Sequence, residues 1–252
     1  MQVDLNCDMG ESFGIYTIGN DEDAMKSITS ANIACGFHAG DPSVARRTVR
    51  LARDAGVAVG AHPGFPDLVG FGRREMQATV AEVEDLVLYQ VSALSGIALV
   101  EGIRLQHVKA HGALYNMAVK NLALAEAISR AVASLDPSLI LFGPPGSALL
   151  SAGKSAGLSV ASETFADRTY EADGTLTPRS RPGAVLHDPE QILARVLHML
   201  REQSITAVDG SVLELSTQTI CIHGDTAGAL EIASRLRTGL ETSGIKVCSL
   251  SS

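Results

Sequence analysis

Tryptophan is absent from this 252-residue chain, and aromatic residues make up only 4% of it. Its 46% hydrophobic content is dominated by Val, Ile, Leu and Ala, the composition of strands buried on both faces. Basic residues are in the minority: 20 Lys and Arg face 28 Asp and Glu, a formal net charge of −8. That balance argues against nucleic acid as a partner, since such binding needs a basic surface. The four cysteines (Cys7, Cys35, Cys221 and Cys248) include no C-x-x-C pair, which excludes an obvious zinc ribbon or thioredoxin-like motif. Cys7, Cys35 and Cys221, in or at the end of apolar runs, read mainly as small buried residues. No stretch approaches the roughly 20 apolar residues of a membrane span. The N-terminus meets Asp4 and Asp8 at once, with neither the basic start nor the apolar core of a signal peptide, so a cytoplasmic location is expected. A nucleotide loop is also missing: Gly153-Lys154-Ser155 ends like one, but the pattern G-x-x-x-x-G-K-[ST] needs glycine at Ala148.

What is present is alternation. Short runs rich in Val, Ile and Leu at 2–7, 30–35, 57–61, 105–110, 138–142, 157–162 and 218–222 predict seven strands. Helical periodicity fills the gaps. One helix follows Asp41 as N-cap and Pro42 as first residue and stops at Gly56. A second covers 79–95 and ends at Gly96, a third covers 189–201 after Asp188, and a fourth covers 226–240 after Asp225. Such β–α alternation gives a parallel sheet, either open and doubly wound or closed into a barrel. Polar residues at nearly every strand end favour a single β/α-barrel domain over 1–252, because an open sheet concentrates its site at one switch point. The polar, Gly- and Pro-rich segment 166–188 is long for a connection and is expected to cover the mouth of the site.

Chemistry gathers at those strand ends. Asp4, Asn6 and Asp8 alternate on the first strand and so project to one side. Buried there, the carboxylates call for a cation, a catalytic role, or a salt bridge to Lys109 or an arginine. Glu11 follows at the strand exit, where a plain surface-loop glutamate is equally common. His38, His62, His111 and His223 each follow an apolar run and touch glycine or proline. His62 and His111 with a first-strand Asp make an N/N/O set for a divalent metal; alternatively the two imidazoles act as general acid and base without metal. Spacing alone does not decide, since no H-E-x-x-H is present. Asp41 and Asp225 are candidates for substrate contact, but each also sits where a helix N-cap belongs. His107 and His198, without glycine neighbours, read as structural. Lys109 lies inside an apolar strand, and Arg73, Arg168, Arg179 and Arg181 fall near the turns; inward cations of this kind suit a small anionic substrate.

Three long motifs carry a specific resemblance. They are Asp4-Leu5-Asn6-Cys7-Asp8-Met9-Gly10-Glu11, the stretch from Ala31 to Pro42 around Cys35-Gly36-Phe37-His38, and Gly60-Ala61-His62-Pro63-Gly64-Phe65-Pro66-Asp67 with Gly70-Phe71-Gly72-Arg73-Arg74. Together with His111-Gly112-Ala113-Leu114-Tyr115-Asn116, Phe165-Ala166-Asp167-Arg168, Pro178-Arg179-Ser180 and His223-Gly224-Asp225, they resemble the LamB/YcsF family over nearly the whole chain. Ala110 departs from the proline usual before the histidine but removes no reactive group. The resemblance implies an irregular seven-stranded parallel β/α barrel similar to the glycoside hydrolase/polysaccharide deacetylase type. It implies a 5-oxoprolinase reaction, the ATP-dependent opening of 5-oxo-L-proline (pyroglutamate) to L-glutamate, shared with partner subunits B and C. In deacetylase-like relatives an Asp and two His hold a divalent metal, for which Asp8, His62 and His111 are the matching residues. The expected catalytic set is Asp8, His38, His62, Lys109 and His111. The expected substrate contacts are Asn6, Glu11, Asp41, Arg73, Arg168, His223 and Asp225. Two other functions stay open: a stand-alone metal-dependent amide or sugar-amide hydrolase, and a non-catalytic subunit that captures a small acid.

Overall fold

A computed structural model describes residues 1–222 and 228–250. Seven parallel strands close into a barrel: β1 (Gln2–Met9), β2 (Ser30–Ala34), β3 (Ala58–His62), β4 (His107–Val108), β5 (Ile140–Gly143), β6 (Ser159–Phe165) and, after the hairpin β7 (Ser204–Thr206) and β8 (Val212–Glu214), β9 (Thr219–Ile222). The ring runs β1-β2-β3-β4-β5-β6-β9, and β9 returns to pair with β1 through Asp4↔Thr219 to Cys7↔Ile222. This closure decides between the two architectures the sequence pattern left open. A last strand, β10 (Lys246–Val247), pairs with the start of β1 at the end opposite the mouth.

Around the barrel lie α1 (Asp21–Ala24), α2 (Pro42–Ala55), α3 (Val80–Val100), α4 (Gly112–Lys120), α5 (Leu122–Leu135), α6 (Ala148–Ser155), α7 (Pro189–Glu202) and α8 (Ala229–Thr242). Asp41 caps α2 by accepting from Ser43 and Val44 amides, and Gly56 ends it at φ 68°. Two expectations need correction at α3. Thr79 and Glu82 form its capping box, but the helix runs through Gly96 to Val100, because nothing there forces a left-handed residue. At 21 residues and a mean hydropathy of 1.5 it is also long and apolar enough by composition to cross a membrane. Here it packs as a barrel helix, burying Val83, Val87, Val91, Leu94 and Ala98. Gly153-Lys154-Ser155 falls in α6, not in a phosphate-cradling loop.

The barrel is apolar outside and largely polar inside. Val3 and Leu5 face out and pack with Ile192, Val196, Ile232 and Leu236 of α7 and α8. Asp4, Asn6 and Asp8 alternate with them and face in, as the strand period requires. Asp4 is fully buried and accepts from the hydroxyls of Thr29 (2.6 Å), Ser30 (2.7 Å) and Thr219 (2.5 Å). Burial nevertheless raises its pKa, so hydroxyls rather than a salt bridge satisfy it. His107 also fills the interior, stacked on Phe142 with centroids 4.3 Å apart and bonded to Asn32 at 2.8 Å, in keeping with a structural role.

Candidate active site

The carboxyl ends of the strands open into a cavity of about 530 Å³ whose lining includes Asp8, Glu11, His62, Lys109, His111 and Arg168. Segment 166–188 supplies one wall, through residues from Arg168 to Arg179, as expected of a loop over the mouth.

The floor is an ionic network. Lys109 is 3% exposed and its ammonium lies 2.9 Å from Asp8 Oδ1, 3.0 Å from Glu163 Oε1, 3.0 Å from Cys221 Sγ and 3.3 Å from Asn6 Oδ1. Burial alone would lower its pKa, but Asp8, Cys221 and Glu163 outweigh that and hold it well above the ordinary lysine value. Its three N–H bonds are therefore spent within the floor. Asp8 Oδ1 also accepts from Asn32 Nδ2 at 2.8 Å, while its other oxygen, Oδ2, lies 3.4 Å from His62 Nε2. The expected salt bridge between a first-strand Asp and Lys109 thus exists without removing Asp8 from the cavity.

Above this floor, ligand atoms of Glu11, His38, His62 and His111 all lie within 4.8 Å of one another. Two of the rings are fixed from outside. His62 Nδ1 donates to the Lys109 carbonyl at 2.7 Å, and His111 Nε2 donates to the Phe71 carbonyl at 2.8 Å. A carbonyl only accepts, so these bonds assign the tautomers. They leave His62 Nε2 and His111 Nδ1 facing each other at 2.9 Å, lone pair against lone pair. Either a proton or a cation must lie between them. Burial pushes the His111 pKa down to about 3, which disfavours the proton near neutrality. His38, 1% exposed, stacks on His111 with centroids 3.7 Å apart, and neither of its ring nitrogens has a hydrogen-bond partner among the described residues. Burial and the neighbouring imidazoles pull its pKa well below normal. Inward-facing imidazole nitrogens beside a carboxylate are the donor set of a divalent cation. Lys109 itself is shared by two carboxylates, Asp8 and Glu163. The set differs from the expected Asp8, His62 and His111 in that Glu11 and His38 join the histidines, with Asp8 alongside.

Two glycines distant in sequence make this packing possible. A Cβ on Gly64 would sit 2.7 Å from His38 Nδ1, and one on Gly72 would sit 2.7 Å from His38 Cβ and 2.8 Å from His111 Cδ2. The glycines beside His38 in sequence, Gly36 and Gly40, do not make this room. Gly72 has φ 65°, and its neighbour Phe71 is also left-handed at φ 55°, a strained conformation that aims the Phe71 carbonyl at His111. Gln90, fully buried on α3, clamps Gly64 by accepting from its amide (3.0 Å) and donating to its carbonyl (2.9 Å).

Not every expected residue reaches the cavity. Asn6 lies one layer below the floor, bonded to Thr219, Asn32 and Lys109. Asp41 is engaged by the α2 N-terminus and the Gly14 amide. Cap chemistry and interior packing, not substrate contact, account for these two. His223 and Asp225 lie outside the described residues. Glu11, Arg73 and Arg168 do line the cavity. Sequence reasoning missed Glu163 and Tyr115, whose hydroxyl donates to Glu163 Oε2 at 2.7 Å. The apolar run predicts a sixth strand that stops at residue 162. Its continuation to Phe165 turns Glu163 inward, and a charged residue just past that run was the available signal.

The sequence profile of the LamB/YcsF family matches residues 3–252. The A subunit of 5-oxoprolinase from Tolumonas auensis is 58% identical over 246 residues, 98% of each chain. The crystal structure of the lactam utilization protein from Thermus thermophilus superposes with a TM-score of 0.94 at 46% identity, covering 99% of this chain and 100% of that one. A family 4 carbohydrate esterase from Streptomyces lividans shares the fold alone, with a TM-score of 0.50 at 15% identity over 99% of this chain and 93% of the esterase. With the match running from residue 3 to the last residue, and with a relative 58% identical over 98% of each chain, this chain belongs to the LamB/YcsF family.

Proposed function

We propose that this chain opens the ring of 5-oxo-L-proline to give L-glutamate, as the A component of an ATP-dependent 5-oxoprolinase with subunits B and C, in the cytoplasm where ATP is supplied. The names of its relatives support a lactam as substrate and a multi-subunit assembly. The observation that carries the reading is the floor of the cavity, where Asp8 Oδ2 lies 3.4 Å from His62 Nε2 beside the cluster of Glu11, His38 and His111.

A divalent cation held by Glu11, His38, His62 and His111 would polarise the lactam carbonyl and acidify water. Asp8 is placed to accept a proton from an attacking water through Oδ2, because Lys109 and Asn32 already occupy Oδ1. His62 and His111 cannot rotate, since each donates its N–H to a backbone carbonyl. Lys109 holds Asp8 aligned through Oδ1. A five-membered lactam is a poor electrophile, so ATP enters by phosphorylating the lactam oxygen with release of ADP; water then adds to the ring carbon, the C–N bond breaks to leave an acyl phosphate, and a second water releases phosphate to give L-glutamate. We assign the phosphorylation to the partner subunits, in line with the lack of a nucleotide loop in this chain.

The test mixes the chain with its partner subunits and follows glutamate formation with and without ATP, then repeats it with His62→Ala. A loss of about 100-fold or more is expected in the variant. Full activity in His62→Ala removes the cluster from the chemistry. ATP-independent amide cleavage by the isolated chain replaces the reading with a stand-alone hydrolase. Weakened ligand binding with unchanged turnover replaces it with a capture subunit.

A further inference from the structure

The cavity has walls of opposite sign, which bears on how a ligand must lie in it. The floor carries Asp8 and Glu11, whereas the loop wall and rim carry Arg168, Arg179 and Arg73. Among these cations Arg168 is distinctive. It is 6% exposed, and its guanidinium is held in place by carbonyl oxygens: Nη2 donates to Thr177 at 2.5 Å and Nε to Ala184 at 3.3 Å. Its own carbonyl is held in turn by Arg195, which donates from Nη2 to it at 2.5 Å and from Nη1 to Ala166 at 2.8 Å and Phe165 at 3.2 Å. Carbonyls orient a cation but carry no compensating charge. Among the described residues no carboxylate lies within ion-pair distance of Arg168. Burial, then the charge of Arg179, outweigh the pull of Asp167 and push its pKa down to about 10, so its charge is crowded rather than balanced. A buried, rigidly held cation without an ionic partner is costly unless a ligand supplies the anion. Lys109, the other buried cation of the cavity, is already saturated by Asp8, Glu163, Asn6 and Cys221.

We propose that Arg168 is the specificity residue of the cavity: it pairs with the carboxylate of the lactam and so turns the ring carbonyl toward the histidine floor. The inference rests on the proposed function and assigns the charged group that the ligand must carry.

The test measures dissociation constants for 5-oxo-L-proline, for 2-pyrrolidinone (the same ring without the carboxylate) and for inorganic phosphate, on the full chain assembled with its partner subunits. Wild type is expected to favour 5-oxo-L-proline over 2-pyrrolidinone by about 10- to 100-fold. Arg168→Met is expected to erase that preference, bringing the dissociation constants of the two lactams within about two-fold of each other. Arg168→Lys, which keeps the charge but cannot span both carbonyls, is expected to retain part of it and guards against a folding defect in the first variant. A preference that survives in both variants overturns the assignment. So does a variant that loses phosphate binding alone, which would make the wall a phosphoryl site. Failure of wild type to bind either lactam sinks the proposed function as well, and is thereby distinguishable from failure of Arg168 alone.

Discussion

Gly72 has no side chain, yet the histidine cluster depends on it. Its left-handed backbone costs an L-residue about 1 kcal/mol, and a Cβ there would press into both His38 and His111. Gly72→Ala is therefore expected to lower stability by only about 1–2 kcal/mol but to reduce glutamate formation by about 100-fold, because displacing a reacting group by an ångström has that effect. Urea unfolding and kcat/KM measured together check this; a variant with normal turnover would show that ring spacing is unimportant. The same residues show what sequence alone conveys. His62, His111, Asp8 and Lys109 were legible because a titratable residue at the end of an apolar run has few bland explanations. The partners that aim them were not. The Phe71 carbonyl, the Gln90 clamp and the space at Gly64 are backbone and tertiary features with no residue-type signature.

At the scale of elements, caps were legible and stops were less so. Asp41, Pro42 and Gly56 bound α2 as their chemistry requires. Gly96 reads as a terminator by residue type, but it lies inside α3 with open space around a notional Cβ. With no positive φ to protect, Gly96→Ala is expected to stabilise the protein by about 0.5–1 kcal/mol, read as a rise in the urea midpoint without loss of activity. A decrease would mean that the exposed helix face is packed against something after all. The end of α3 is tied to α2 by Glu101, which accepts from Arg46 (2.5 Å) and Arg50 (2.9 Å) and lies 3.3 Å from Arg53 Nη1. These hydrogen bonds, from Arg50 first, pull its pKa from 4.5 to about 2. A depressed carboxyl group stabilises the fold above its unfolded pKa and loses that contribution as pH falls toward its folded pKa. The melting-temperature gap between wild type and Glu101→Gln should thus be full near about pH 6 and close between pH 4.5 and 2. A gap independent of pH would assign the effect to packing instead.

For the whole molecule, all seven barrel strands were legible from apolar runs, but their closure was not. Periodicity says that a strand is buried on both faces and is silent on whether its last neighbour is its first. The spread of polar residues over many strand ends pointed to a barrel, and the β1–β9 register supplies the closure. The hairpin β7–β8 and the strand β10 escaped notice because segments of two or three residues are too short to show a period.

That C-terminal strand closes the barrel at the end remote from the site. Lys246 and Val247 pair with Gln2 and Val3, and the Cys248 amide donates to the Val3 carbonyl at 3.0 Å. Leu250 then packs with Ile140, Phe142 and Ala161, and its carbonyl accepts from Gln106 Nε2 at 2.6 Å. The tail therefore plugs the bottom with an apolar side chain where the interior is least polar. Removing the residues from Lys246 onward exposes the Phe142 layer and unpairs the start of β1. Losing the burial of about two apolar side chains should lower stability by about 2–4 kcal/mol. For a chain of this size that corresponds to a fall of about 5–15 °C in Tm. Because Asp8 and the histidines sit at the opposite ends of the same strands, kcat/KM at 25 °C should hold within about two-fold. An unchanged Tm would deny the tail its closing role. A preserved Tm with weakened substrate binding would mean that the two ends of the barrel are coupled through its polar interior.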